Sequence, residues 1–198
     1  MFDIIEPTDE QLTSLLLYGL PKTGKSTILA DLTIKEPNSL VISTDPKGYH
    51  FLKARVKQVD DYKEFNKLLD ELADSKLKYL IIDTVTQLDI WSEIVGTYVY
   101  MKSVQGKSFN RDGKGNPILY GDDGFTSVYN LANGAGYQYS REVMMEWFRK
   151  FQKIAERVIL VAHVKDKRVE SKLQDIVDVA DINLTGKVKS IWSSVVDG

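Results

Sequence analysis

The sequence predicts one α/β domain with a mostly parallel central sheet flanked by helices, and three observations predict it. Short runs that are apolar at consecutive positions alternate with segments of helical spacing, as strands buried on both faces and their covering helices require. A glycine loop joins the first run to the first helical segment. The chain has 198 residues, 43% of them hydrophobic, which suits a single core.

Each element has its own signal. Ser14-Leu15-Leu16-Leu17-Tyr18 is an apolar run that stops at Gly19, and a helical pattern follows from near Lys25 to about Lys35. Ser39 to Ser43 reads as a second buried strand, ended by the turn residues Asp45-Pro46-Lys47-Gly48. From Asp60 to Ala73 the apolar residues Tyr62, Phe65, Leu68, Leu69 and Leu72 recur at helical spacing. Leu77 to Ile82 is a third strand, and it delivers Asp83 and Thr84 at its carboxyl end. A long helix pattern runs from about Gln87 to Met101.

The composition then changes. An irregular, glycine-rich insertion covers about 104–137, and residues 106–136 hold seven of the 13 glycines, with aromatics at Phe109, Tyr120, Phe125 and Tyr129. An unstructured stretch of that length is uncommon inside a compact domain unless it is functional. Ser140 is placed as the N-cap of an amphipathic helix whose Met144, Trp147, Phe148, Phe151 and Ile154 share a core-facing side. Val158 to Ala162 is a fourth strand closing at His163, Lys165 opens a polar stretch, and a weak helix is expected from about Lys187 to Val195.

Composition excludes several functions. With 26 Lys plus Arg against 28 Asp plus Glu, a net charge of -2 and a pI near 5.8, the composition argues against a histone-like or polybasic mode of nucleic-acid binding, and such contact requires a local patch. There is no cysteine, which removes disulfides, thiol nucleophiles and thiolate metal sites, and suits a reducing cytoplasm. The N-terminal MFDIIEPTDEQ is acidic where a signal peptide is basic, and no apolar run approaches a membrane span, so neither secretion nor a membrane partner is expected.

The chemistry concentrates in Gly19-Leu20-Pro21-Lys22-Thr23-Gly24-Lys25-Ser26, which fits G-x-x-x-x-G-K-[ST] at every position and is followed by Thr27. Glycines at both ends let backbone N–H groups turn inward on phosphate oxygens, and the helix that follows adds its positive N-terminal dipole. Lys25 brings a point charge to the β and γ phosphates of ATP, and Ser26 a hydroxyl to Mg²⁺. Asp83, ending a buried strand, is placed to hold that magnesium through water. Asp45 ends the neighbouring strand and is a candidate for activating water at the γ-phosphate, although Asp before Pro also starts turns. His163 is a candidate γ-phosphate sensor or an ordinary strand-end histidine; His50 joins no constellation. Lys165, Lys167, Arg168 and Lys172 form a small basic cluster. It reads as a DNA-contacting loop, as a finger reaching a neighbouring subunit's nucleotide, or as a solvated loop.

In order and spacing, GLPKTGKS, SLVISTDPKG, YLIIDTVTQL and VILVAHVKDKR resemble the RecA-like core P-loop ATPases of phages and prophages. These are AAA-family nucleotide-binding proteins of the single-strand annealing and recombination type. The resemblance covers roughly 12–198 and implies a RecA-like P-loop NTPase sheet in one domain spanning 1–198. It implies an Mg²⁺-dependent ATPase in which Gly19 to Ser26 bind phosphates and Ser26 and Asp83 serve the metal. It puts Asp45 where relatives carry a catalytic Glu, and His163 at the polar switch position. It further implies single-stranded DNA as partner, a homo-oligomer, a single-strand-binding or annealing protein partner, and a bacterial host cytoplasm. The insertion and the segment after His163 match the two DNA-contacting loops of RecA-like proteins. The alternative is a nucleotide-gated protein-assembly factor that does not touch DNA. A small-molecule kinase would carry an arginine-rich lid, and the insertion holds one arginine, Arg111.

Overall fold

The computed structural model describes residues 13–45, 48–170 and 176–184, with side chains described except at 165–170 and 176–181. In chain order the elements are β1 (Ser14–Gly19), α1 (Lys25–Lys35), β2 (Ser39–Ser43), β3 (Val56–Gln58), α2 (Tyr62–Glu71) and β4 (Leu77–Asp83). They are followed by α3 (Val85–Lys102), two 3-10 turns (Val128–Asn130 and Ala132–Gly134), α4 (Tyr137–Ile154), β5 (Ala155–Glu170) and β6 (Ile176–Ile182). The strands β1-β5-β4-β2-β3 form an all-parallel sheet in that order. The expected α/β P-loop NTPase architecture is therefore present.

Alternation along each strand divides the core in two. Ile42, Leu80, Ile82, Val158, Leu160 and Ala162 face α2, α3 and α4, whereas Val41, Ile81, Ile159 and Val161 face Leu29 and Ala30 of α1 and the ring of Tyr49. Strands buried on both faces explain why the sequence shows continuous apolar runs. Helix α2 starts at Tyr62 because the Asp61 carboxylate accepts from the backbone N–H of Lys63 at 2.7 Å and of Glu64 at 2.8 Å. The face of α4 singled out in the sequence, Met144, Trp147, Phe148, Phe151 and Ile154, is buried throughout.

Three expectations are corrected. Ser140 is not an N-cap: α4 begins at Tyr137, and Ser140 is fully buried with its Oγ 2.5 Å from Ser92 Oγ and accepting from Tyr129 Oη at 2.8 Å. A serine in the first turns of a helix can equally serve a neighbouring helix, and here the partner hydroxyl lies on α3. Burial pushes the Tyr129 phenol up to about 12. The fourth strand does not close at His163, because β5 continues to Glu170 as an antiparallel ladder with β6. Lys165, Lys167 and Arg168 therefore stand on a strand, in register with Asp181, Val179 and Asp178, and not on a loop. Backbone pairing with β6 holds this polar stretch extended, and that pairing has no local sequence signal. The short edge strand β3 also escapes sequence reading. Lys172 and the weak helix near 187–195 lie outside the described residues.

The insertion packs on the outer side of α3 and is held by its own hydrogen bonds. Buried Asn110 clamps Thr126, donating from Nδ2 to its carbonyl at 2.8 Å and accepting its N–H at 2.9 Å. Asp112 accepts from Asn116 and Lys114, and the Asn116 side chain holds its carboxyl below the usual range. Thr97 of α3 takes the Val128 N–H at 3.0 Å. At Gly136 a Cβ would stand 1.8 Å from the Val128 carbonyl oxygen, so the close return of the chain into α4 admits glycine alone. Tyr98, on α3, meets Tyr62 of α2 and Phe125 of the insertion.

Candidate functional site

The carboxyl ends of β1 and β4 lie beside the middle of β5, at Val161 to His163, and that of β2 lies beside β4. Gly19 is in register with His163, Val161 with Asp83, and Asp83 with Ser43. β5 thus separates the strand of the glycine loop from the strand of Asp83. Residues far apart in sequence reach one cavity of about 560 Å³, lined by Pro21, Lys22, Gly24, Lys25, Ser26, Thr27, Asp45, Asp83 and His163. All four residues singled out for catalysis, Lys25, Asp45, Asp83 and His163, line it.

The loop is shaped for an anion. Gly24 precedes α1 with φ 88°, a left-handed conformation that a side chain would strain, and it lines the cavity together with the first residues of α1, Lys25 to Thr27. Lys22 also takes a positive φ, 65°. The Lys25 ammonium donates to the carbonyls of Gly19 at 2.9 Å and Leu20 at 2.7 Å, so it stands folded over the loop mouth. Thr23 Oγ1 closes the loop on Leu20 O at 2.9 Å.

On the floor, Ser26 Oγ donates to Asp83 Oδ2 at 3.0 Å. Asp83 is only 5% exposed. A hydroxyl paired with a buried carboxylate is a hard-oxygen set of the kind magnesium uses when phosphates and water supply its other ligands, so the residues fit Mg²⁺. Among the described residues no group of three or more His, Asp or Glu side chains could hold a metal ion. Asp45 is exposed at the rim; its backbone carbonyl accepts from Ser43 Oγ and from the Gly48 N–H. His163 receives backbone support through its N–H on Thr86 Oγ1 at 3.2 Å, and its buried Nδ1 has no hydrogen-bond partner among the described residues.

Two residues of the site escape sequence reading. Tyr49, 7% exposed, donates from Oη to the same Asp83 oxygen at 2.8 Å. Burial first, and then the Asp83 charge, push its phenol far above the ordinary tyrosine range. Phe51, 99% exposed, stands at the cavity rim. Nothing in the turn-rich segment around them marks either. No insertion residue lines this cavity; a second, larger one of about 820 Å³ lies between the insertion, α2 and α3, with Trp91, Tyr98 and Tyr120 among its walls.

A family model described as an AAA domain matches residues 12–197, nearly the whole chain and including the glycine loop, Asp83 and His163. The chain belongs to the AAA domain family. Comparison with curated proteins yields no match. As an AAA domain of the P-loop ATPase type, it is a nucleotide-binding protein of the NTP-hydrolase class. Within this AAA domain, no helix among the described residues is long and apolar enough to cross a membrane.

Proposed function

We propose that this AAA domain is a Mg²⁺-dependent ATPase of RecA-like type that acts on single-stranded DNA in phage recombination or annealing. The observation that carries the catalytic part is the convergence of Lys25, Ser26, Asp45, Asp83 and His163 on one cavity at the carboxyl edge of the sheet. In this reading the backbone from Gly19 to Thr27 cradles the phosphates and Lys25 neutralises the charge that develops on them. Ser26 and Asp83 would hold magnesium, which would supply positive charge to offset the charge developing on the phosphates. Asp45 takes the proton of the attacking water, and His163 senses the γ-phosphate. β5 carries His163 directly into the hairpin of Lys165, Lys167 and Arg168, so a change at the phosphate has a continuous strand along which to reach those residues.

Asp45→Asn separates the general base from a turn former. It keeps size and turn geometry but cannot accept a proton, so ATP affinity should hold while turnover drops about 10²-fold. If affinity and turnover fall together, Asp45 shapes the turn and nothing more.

The DNA part is tested by ATP turnover with and without single-stranded DNA across a salt series. Stimulation is expected at low salt and should fade as salt rises, because phosphate contacts release counterions. A rate indifferent to DNA at every salt concentration would favour the protein-assembly alternative.

A further inference from the structure

Asp83 Oδ2 receives two donors from segments far apart in sequence, both on the face of the sheet that α1 covers. Ser26 comes from the first turn of α1 at 3.0 Å, and Tyr49 from the segment after β2 at 2.8 Å. A carboxylate oxygen offers about two lone-pair directions, and these two hydroxyls occupy both. Each hydroxyl has a single proton. Because Ser26 spends its proton on Asp83, its lone pairs are left to face elsewhere, and Ser26 lines the cavity.

Tyr49 is rigidly mounted for this task. Its ring packs with Leu29, Ala30 and Ile81, so the same body of core that seats α1 against β4 seats the phenol beside Asp83. The backbone just before it, Gly48, donates its N–H to the Asp45 carbonyl at 3.2 Å, so Tyr49 stands next to the turn that carries the proposed base.

We propose that Tyr49 is a positioning residue for the metal pair: its hydroxyl locks the Asp83 carboxylate so that Ser26 keeps its proton on Asp83 and its lone pairs toward the cation. This rests on the nucleotide-site reading above. Without the phenol, Asp83 turns more freely, the Ser26 hydroxyl loses its fixed orientation, and metal affinity declines while the phosphate loop is untouched. Losses from such supporting hydrogen bonds run about 10- to 100-fold in metal affinity.

The test is Tyr49→Phe, which keeps the ring and removes the hydroxyl, with Tyr79→Phe as control. Tyr79 belongs to the same core cluster but pairs with Arg157. Two quantities are measured on the whole protein: affinity for a fluorescent ATP analogue in EDTA, and affinity of the nucleotide complex for Mn²⁺ by electron paramagnetic resonance. Tyr49→Phe should leave metal-free nucleotide affinity unchanged and weaken Mn²⁺ binding about tenfold. Tyr79→Phe should change neither. Equal Mn²⁺ affinity in Tyr49→Phe and the unaltered protein overturns the proposal, as does a parallel fall of metal-free nucleotide affinity, which would mark Tyr49 as packing only. Failure of the underlying site reading looks different: the unaltered protein would then bind no nucleotide.

Discussion

Lys25→Ala should reduce ATP turnover by about 10³-fold, the upper range for removing one preorganised charge that faces the transition state. Among the described residues, the one other lysine at this cavity, Lys22, is poorly placed to substitute. Lys25 Nζ is anchored over the loop by the Gly19 and Leu20 carbonyls, at the cavity that the loop lines. Lys22 lines the same cavity but stands on the exposed shoulder of the loop. In low dielectric the distance of a cation from the developing charge decides its worth, and a lysine screened by solvent recovers little of the loss. The measurement is steady-state phosphate release at saturating ATP and Mg²⁺. Turnover within a few-fold of the unaltered protein would remove Lys25, and with it the loop, from the catalytic reading.

Phe65→Ala should destabilise the domain by about 3–5 kcal/mol, the range for emptying a buried aromatic site. Phe65 is fully buried on α2 and meets three other rings, Trp91 at 5.7 Å, Trp147 at 5.3 Å and Phe151 at 6.1 Å between centroids. It is the point where α2, α3 and α4 close over one face of the sheet. Collapse to fill the gap would need two tryptophans to move, and Trp147 is held by its Nε1–H on Asn66 Oδ1 at 2.8 Å. Domains of this size hold about 5–15 kcal/mol in all, so the variant should be near unfolding at moderate urea. Urea denaturation followed by tryptophan fluorescence reads the change. A loss below about 1 kcal/mol, the scale of an ordinary surface substitution, would contradict this packing.

The sequence by itself determined the alternation of strands and helices, the phosphate loop and the placement of Asp83 and His163 on strands. Each of these is written locally. A strand buried on both faces must be apolar throughout, the phosphate loop carries glycine at Gly24 where φ is 88°, and α2 starts where Asp61 can cap it. Only the tertiary structure decided what those residues face. Asp83 meets Ser26 across 57 positions of sequence, a convergence the sequence suggested only through their shared magnesium role, and it meets Tyr49 across 34, which no local pattern encodes. The same reason covers the errors. Ser140 has the chemistry of a helix cap but is drawn inward by Ser92 and Tyr129, and the polar stretch after His163 reads as a loop until β6 pairs with it. Local preferences are worth a few tenths of a kcal/mol per residue, and burial or strand pairing with a distant segment outweighs them.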